Sequence, residues 1–252
     1  MSSLPTFFRL KSFMQTKIIH INGVGDICFK KSNKARNVSI TIKPFEGVNV
    51  SVPRSLSFKT AEKFVLKKQD WIQKHIPKIE ELENKFTIFD ENTNYKTRNH
   101  ILQFYPQEVE SLQIVISENI IKVIYPDDED IRNIKYQVMI RKAIEEAWRI
   151  EAKQFIPERV KQLSEIHGFK YNNIYIKNIK SRWGSCSHID NLNFTLHLMR
   201  LPDYLIDYVI LHELCHTVHK NHGKEFWALL DKVSGDAKAL RNKMKNWEIR
   251  IY

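Results

Sequence analysis

The chain has 252 residues, of which 42% are hydrophobic and 27% are charged. This composition is typical of a globular protein, and the absence of low-complexity tracts and internal repeats excludes a disordered or a solenoid chain. The formal net charge is +11. That excess is either an ordinary solvated surface or a surface that binds polyanions weakly.

The sequence gives no sign of a membrane or secretory protein. No apolar run approaches eighteen residues, so no transmembrane helix is expected. The first residues lack both a continuous apolar core and a small-residue cleavage site, which argues against a secretory signal. The three cysteines, Cys28, Cys186 and Cys215, form no paired framework. We therefore expect a cytoplasmic protein with no membrane partner.

The N-terminal half has the alternation of apolar and polar residues that is typical of strands. Residues 38–42 and 48–52 alternate in this way around Pro44 and Gly47, which predicts a hairpin. Helical spacing of apolar residues then predicts one long helix from Lys59 to about Lys85. Further strands are predicted at residues 101–105 and, as a pair with a turn at residues 118–119, within residues 112–124.

The C-terminal half is predicted to be mainly helical. The acidic run at residues 127–130 favours a helix start, and the helical pattern continues to His167, with a kink or a division at Pro157. Strands are expected near residues 173–177 and 191–196. A buried helix then begins after Leu201, and one or two more helices follow from Lys224, with a break at Gly235.

These elements predict an α+β fold with two regions. Residues 1–126 form a β-rich region with one long helix, and residues 127–252 form a helical region with a small sheet. The two regions are expected either as separate domains or as one compact unit.

A histidine cluster is the strongest functional signal in the chain. Four of the ten histidines lie within the segment LHELCHTVHKNHGKEFW, residues 211–227. His212 and His216 frame an H-E-x-x-H string, and residues four apart lie on the same face of a helix. Two imidazoles so placed can bind one metal ion, while Glu213, rotated by about 100°, can reach a water on that ion. This is the arrangement of a general base in a zinc hydrolase.

A catalytic zinc site needs a third protein ligand, and two histidines are candidates. His219 is on the same helix face as His212, but about 10 Å further along the axis. His222 follows Asn221, a residue type that tolerates the left-handed conformation at helix ends. A chain that turns at Asn221 would return His222 to the ion, so His222 is preferred.

The alternative is that the histidines are merely polar residues that match the string by chance. The apolar context before Leu214 disfavours this, because unpartnered ionisable groups are costly there. Cys215 points away from the ligand face and is interpreted as a packed residue. Cys186 stays open between a structural and a functional role. His188 and His197 are weak candidates for transition-state stabilisation.

The segment SRWGSCS, residues 181–187, is the second unusual run. Its residues do not fit a strand interior, and Gly184 permits a tight turn or a close backbone approach. Arg182 can bind a carboxylate or a phosphate. Arg182, Trp183 and Ser185 are the candidate substrate-binding residues, and a purely structural turn is the alternative.

Together, SRWGSCS and LPDYLIDYVILHELCHTVHKNHGKEFW, residues 201–227, resemble the YgjP-like family of metal-dependent hydrolases, which are relatives of the SprT-like zinc proteases. The resemblance extends to Trp247 and to the N-terminal hairpin VSITIKPFEGVNVSVP. It implies a zincin-like core of the minigluzincin type with a small sheet, and it implies a zinc ion. A residue other than glycine at position 219 separates the chain from the metzincins.

By the same resemblance, His212, His216 and His222 are the zinc ligands and Glu213 is the catalytic base. The segment 182–186 is expected near the site.

Four functions compete at this point. The first is a zinc metallopeptidase acting on peptides or proteins. The second is a metal-dependent nucleoside triphosphate pyrophosphohydrolase, which Arg182 would suit. The third is a nucleic-acid-associated protease, although no zinc-ribbon appendage is present. The fourth is a binding protein with a structural metal, which Glu213 argues against because a structural site needs no base.

Overall fold

The computed structural model describes residues 6–7 and 15–249. These residues form six α-helices and three small sheets, which confirms the α+β class. Two compact units result. They comprise Met1–Phe8, Asp90–Asp130 and Ile140–Tyr252 in one unit, and Arg9–Phe89 and Ile131–Met139 in the other. The boundary between two regions near residue 126, which was inferred from the change from strand-like to helical sequence patterns, stays a prediction.

A four-stranded sheet with the order β2-β3-β5-β4 organises the smaller unit. The predicted hairpin is confirmed as the antiparallel pair β4 and β5, with Ile40 opposite Val50. The preceding pair, β2 and β3, was missed because only Ile21 of β2 is buried and the strand shows no clean alternation. The strands are β2 Thr16–Ile21, β3 Gly25–Ser32, β4 Ser39–Lys43 and β5 Gly47–Pro53.

The predicted long helix of this unit is wrong as a single element. The chain forms α1, Phe58–Leu66, and α2, Gln69–Glu83. Ser57 caps α1 by accepting a hydrogen bond from the Thr60 backbone N–H, as polar residues at helix starts do. The two helices bury different residues, Ala61 and Val65 on α1 and Ile72 on α2. Each helix therefore packs its own apolar side chains into the hydrophobic core of this unit.

A second four-stranded sheet, of order β1-β7-β8-β6, belongs to the larger unit. The strands predicted within residues 101–105 and 112–124 are confirmed in it, and β7 and β8 pair as an antiparallel hairpin. β6 lies parallel to β8 on the other side. The strands are β1 Thr6–Phe7, β6 Ile101–Gln107, β7 Gln113–Ile116 and β8 Ile120–Pro126.

The long helix α3 spans Ile134–His167, with Pro157 inside it. It begins later than the acidic run at residues 127–130 predicted. Asn133 provides the start instead, since its side chain accepts a hydrogen bond from the Lys135 backbone N–H at 3.1 Å. A short polar side chain satisfies the free N–H groups of a helix start directly. Pro157 does not divide the helix.

The remaining elements contain the two sequence motifs, SRWGSCS and the H-E-x-x-H segment. A three-stranded sheet has the order β10-β11-β9, and residues 184–186 of SRWGSCS form its edge strand rather than a turn. An edge strand pairs on one side only, so it tolerates such small polar residues. The break predicted at Gly235 is confirmed, with φ +86°. The strands are β9 Ile174–Lys177, β10 Gly184–Cys186 and β11 Leu192–Thr195, and the helices are α4 Asp203–Val218, α5 Lys224–Ser234 and α6 Ala237–Met244.

None of the described helices is long and apolar enough to cross a lipid bilayer.

Candidate active site

Helix α4 is buried along most of its length, and this fixes its polar residues in place. Leu205, Ile210 and Leu214 are completely buried. A bidentate ion pair joins α4 to α3, because Arg159 Nε and Nη2 donate to the two carboxylate oxygens of Asp207 at 2.7 Å each. The helix therefore presents His212, Glu213 and His216 from a rigid element.

The three histidines of the predicted metal site converge on one point. His222 Nε2 lies 3.0 Å from His212 Nε2 and 3.2 Å from His216 Nε2. All three ligand nitrogens lie within 4.8 Å of one another. Nitrogens bound to one tetrahedral zinc ion are separated by about 3.3 Å. The separation of the three nitrogens is thus that of a shared divalent cation.

His222 reaches this point by a different route from the one that the sequence predicted. Helix α4 ends at Val218, three residues before Asn221, and His219 already has an extended conformation with φ −120°. Outside glycine, the described residues with positive φ are Phe45 and Asp190, so Asn221 does not adopt the left-handed conformation. The helix ends early, and the bends at residues 220 and 221 return His222 to α4.

The same segment orients one of the imidazoles. The ring nitrogen Nδ1 of His216 lies 3.0 Å from the backbone carbonyl of His219 and donates to it. The other nitrogen, Nε2, is then left without its proton and faces His212 and His222. A hydrogen bond of this kind fixes the tautomer and the orientation of a metal-binding histidine.

Two aromatic residues at the start of α5 support the cluster. Phe226 is completely buried. Its ring lies 4.5 Å from the His216 ring, in a stacked arrangement, and 4.9 Å from the His212 ring. Trp227 stacks on His222 with ring centroids 5.7 Å apart. The segment GKEFW of the sequence motif therefore packs directly against the three imidazoles.

Glu213 lies beside the cluster in a narrow space between α4 and β10. It is 5% exposed. A Cβ atom on Gly184 would lie 2.7 Å from Glu213 Cγ and 2.7 Å from Oε1. The Cys186 backbone N–H donates a hydrogen bond to the carboxylate, while Oε2 has no hydrogen-bond partner among the described residues. A buried carboxylate oxygen is thus left available in the cleft.

The electrostatics of the site depend mainly on burial. Burial raises the pKa of Glu213 to about 8, although Arg182 and the Cys186 N–H oppose the shift. Burial lowers the pKa of His212 to about 3, and the neighbouring His216, His222 and Arg241 act in the same direction. Neutral imidazoles have free lone pairs, and this is the form that binds metals.

The site opens into a cleft of about 460 Å³, within the usual range of ligand pockets. Two of the three predicted substrate residues, Arg182 and Trp183, line it. Ser185 is not among the described lining residues, and its backbone carbonyl instead accepts a hydrogen bond from Asn193 Nδ2 at 3.3 Å. The cleft is lined by Arg182, Trp183, Gly184, Tyr208, Val209, His212, Glu213, His222, Trp227, Arg241 and Met244.

Several of these residues were missed by the sequence reasoning. Tyr208 lies four residues before His212, so the helical period could have identified it. Trp227 is the last residue of the histidine-rich segment 211–227, but the sequence reasoning assigned it no role. Arg241 and Met244 come from α6, and no local sequence signal connects them with the histidines.

The weaker candidates from the sequence, two histidines and two cysteines, either lie outside the described lining of the cleft or have unreactive side chains. His188 is exposed, and neither His188 nor His197 is among the described residues that line the cleft. His197 is buried, and its Nε2 lies 2.9 Å from Asn178 Oδ1. Burial raises the pKa of Cys186 to about 11 and that of Cys215 to about 12, so neither thiol is activated as a nucleophile.

Three converging imidazoles beside a buried carboxylate are typical of metal-dependent hydrolases. The sequence model of the YgjP-like family, described as "YgjP-like, metallopeptidase domain", matches residues 36–247. The match covers most of the chain, and the chain belongs to this family. It is a metallopeptidase-like hydrolase.

Among solved structures, two archaeal metallopeptidase zymogens are similar to part of the chain. Jannalysin of Methanocaldococcus jannaschii has 25% identity and a TM-score of 0.34, covering 37% of this chain and 96% of its own. Abylysin of Pyrococcus abyssi has 18% identity and a TM-score of 0.34, covering 39% of this chain and 100% of its own. No curated protein matches the chain.

Proposed function

We propose that the protein is a zinc metallopeptidase with a zincin-like catalytic core, in which His212, His216 and His222 bind the ion and Glu213 is the general base. The convergence of the three Nε2 atoms, 3.0 and 3.2 Å apart around His222, carries the proposal. Catalytic zinc has three protein ligands and one open position. Peptides or proteins are the substrates that the family implies.

The donor set fits zinc better than the other common ions of hydrolases. Imidazole nitrogen is a preferred ligand of zinc, whereas magnesium and calcium prefer oxygen. The described metal-ligand cluster contains only histidines. When bound, zinc acidifies a water molecule and polarises the scissile carbonyl.

Glu213 is suited to proton transfer by its position and its environment. It is buried, it lines the cleft, and its Oε2 has no other partner among the described residues. The Cys186 N–H holds the carboxylate on its other side. A cation bound to the three histidines would lower the pKa of Glu213 again, so that the ionised carboxylate could accept a proton at the cleft and later deliver it to the leaving amine.

Arg182 and Trp183 form the neighbouring wall of the cleft and are proposed to bind substrate. Arg182 is close enough to Glu213 to lower its pKa against the effect of burial. A guanidinium in this position favours negative charge on the substrate as it develops. Ser185 is the least supported of the three proposed substrate residues, because it is not among the described lining residues and its carbonyl already accepts a hydrogen bond from Asn193.

We also propose a cytoplasmic location. Cys28, Cys186 and Cys215 are free thiols in the structure, as is common in a reducing compartment.

The function is tested with zinc-loaded wild type, Glu213→Gln and His212→Ala, assayed for zinc content and for cleavage of an unstructured protein. Glu213→Gln is expected to keep its zinc and to lose about 10²- to 10⁴-fold in rate. His212→Ala is expected to lose both zinc and activity. Glu225→Gln is the matched control, because Glu225 is exposed on α5, and it should behave like wild type.

Nucleoside triphosphates are assayed in parallel. If wild type hydrolyses only the triphosphate and Glu213→Gln abolishes that reaction, the chain is a pyrophosphohydrolase and the peptidase function is wrong. If His212→Ala retains a full equivalent of zinc, the metal site is wrong.

A further inference from the structure

Two arginines line the cleft, and neither has an ion-pair partner among the described residues. They are Arg182, before β10, and Arg241, on α6. Both are exposed. Glu213 is the only carboxylate among the lining residues that the structure describes. The cleft therefore carries an excess of positive charge even before a cation is bound to the histidines.

The two arginines act on different parts of the site. The charge of Arg182 acts on Glu213, whereas the charge of Arg241 acts on His212 and Tyr208. Arg182 is thus next to the residue that exchanges protons. Arg241 is on the histidine side and has no part in the proton transfer described above.

Arg241 is held in a defined position by an aromatic ring. Its guanidinium carbon lies 5.1 Å from the centroid of the Trp227 ring, a cation–π contact. The same Trp227 ring stacks on His222. Trp227 therefore contacts both Arg241 and a proposed zinc ligand, and the five N–H donors of Arg241 have no hydrogen-bond partner among the described side chains.

The walls around Arg241 are apolar, which strengthens any charge interaction there. Tyr208, Trp227 and Met244 also line the cleft, and Tyr208 is buried. Charges in a groove with low-dielectric walls focus the electrostatic potential. A planar guanidinium with free donors binds a carboxylate in a bidentate manner.

On the basis of the proposed peptidase function, we propose that Arg241 is a specificity residue that binds a substrate carboxylate close to the cleaved bond. The carboxylate is either an Asp or Glu side chain or the free C-terminus of the peptide. The apolar walls contact the aliphatic part of that substrate residue, and the Arg241 guanidinium binds its carboxylate. The protein then prefers acidic peptides, or it trims chain ends.

The preference is tested by mapping the cleavage sites of zinc-loaded wild type, Arg241→Gln and Arg241→Glu in a mixed peptide library by mass spectrometry. Wild type is expected to select an acidic residue, or the chain end, at one fixed position relative to the cut. Arg241→Gln should reduce kcat/KM for a Glu peptide relative to its Gln twin by about tenfold, because a charge-assisted hydrogen bond is lost. Arg241→Glu should shift the selection to Lys and Arg.

Two further comparisons are needed. One distinguishes a side-chain carboxylate from the C-terminal carboxylate, and the other controls for the loss of a positive charge on α6. Peptides with free and amidated C-termini distinguish a side chain from a chain end. Lys238→Gln removes an exposed positive charge from the same helix outside the cleft, and it should keep the selection of wild type.

Binding is measured separately with zinc-loaded Glu213→Gln and the Glu, Gln, free-end and amidated peptides, through tryptophan fluorescence of the cleft. If wild type cuts peptides with no acidic or chain-end preference, the carboxylate site is wrong and the peptidase stands. If Glu213→Gln binds acidic peptides in an Arg241-dependent way but wild type cuts none, the carboxylate site stands and the peptidase function is wrong. Equal binding of all four peptides, or equal selection by Arg241→Gln and wild type, overturns the inference.

Discussion

Gly184 on β10 lies directly against the Glu213 side chain on α4. A Cβ atom at position 184 would be 2.7 Å from Glu213 Cγ and 3.0 Å from Cδ, closer than carbon atoms pack. The close approach also lets the Cys186 N–H, at the end of the same short strand, donate to the carboxylate. Gly184 is therefore required for space rather than for an unusual backbone conformation.

Gly184→Ala is expected to displace Glu213 or β10 and to reduce kcat/KM on the order of a hundredfold, because small displacements of a catalytic group are costly. The three atoms nearest to a Cβ at position 184 all belong to Glu213, so the zinc content should stay at the wild-type level. Steady-state kinetics and elemental analysis measure the two effects. Gly223→Ala is the matched control, since a Cβ there meets no atom within 4 Å; normal activity in both variants would contradict the steric role.

Metal removal is expected to lower the melting temperature of the protein. The lone pairs of the three imidazoles face one another, so a shared cation stabilises the folded protein. A ligand at a thousandfold excess over its Kd raises the free energy of unfolding by about 4 kcal/mol. For a chain of this size the shift is roughly 5–15 °C, measured by calorimetry with and without a chelator. His222→Ala should remove the shift.

His219→Ala is the discriminating control for that experiment. The His219 backbone carbonyl accepts the hydrogen bond from His216. Among the described residues, its ring lies 3.6 Å from the carboxylate of the exposed Glu225. The variant should therefore retain the zinc-dependent shift. Loss of the shift in His219→Ala, with retention in His222→Ala, would reverse the assignment of the third ligand.

Glu151 is expected to make stability depend on pH in the acid range. Burial acts to raise its pKa, but hydrogen bonds from His100, Thr97 and the Asn99 N–H outweigh burial and lower it below the ordinary value of 4.5. A lowered pKa in the folded state means that the stabilisation is present above pH 4.5 and is lost as pH falls through the folded-state pKa.

Glu151→Gln is expected to cost about 2 kcal/mol at neutral pH, because a charge-assisted network is weakened in a buried position. The variant should also show a flatter loss of stability below pH 4.5. Urea unfolding at several pH values measures both effects. Thr97→Ser keeps the hydroxyl donor and should retain the wild-type pH profile; an unchanged profile in Glu151→Gln would show that other groups control acid unfolding.

The Arg159–Asp207 pair is expected to stabilise the packing of α4 on α3. Arg159→Lys loses the two-point geometry and should lower the free energy of unfolding by about 1 kcal/mol, a modest value because the two side chains are 32% and 22% exposed. Denaturant unfolding gives the difference. Arg149→Lys, which replaces a single contact to Glu146, should change stability less, and a reversed order would contradict the importance of the bidentate geometry.

The local parts of the candidate site could be predicted from the sequence. His212 and His216 are four residues apart on a helix whose apolar run and Pro202 start were evident, and the helical period alone places their rings on one face. The choice of His222 over His219 followed from the same geometry, and the side chain of His222 does join the other two. Its path was predicted wrongly, because the helix ends at Val218 and a single residue type is weak evidence for a helix end.

The sequence by itself determined the H-E-x-x-H helix, the β4–β5 and β7–β8 hairpins and the α+β class, because each of these depends on residues that are near neighbours along the chain. The tertiary structure decided which strand confines Glu213 and which helix brings Arg241 to His212. Those pairs are brought together by packing between elements that are distant in sequence, and no local period encodes such a contact.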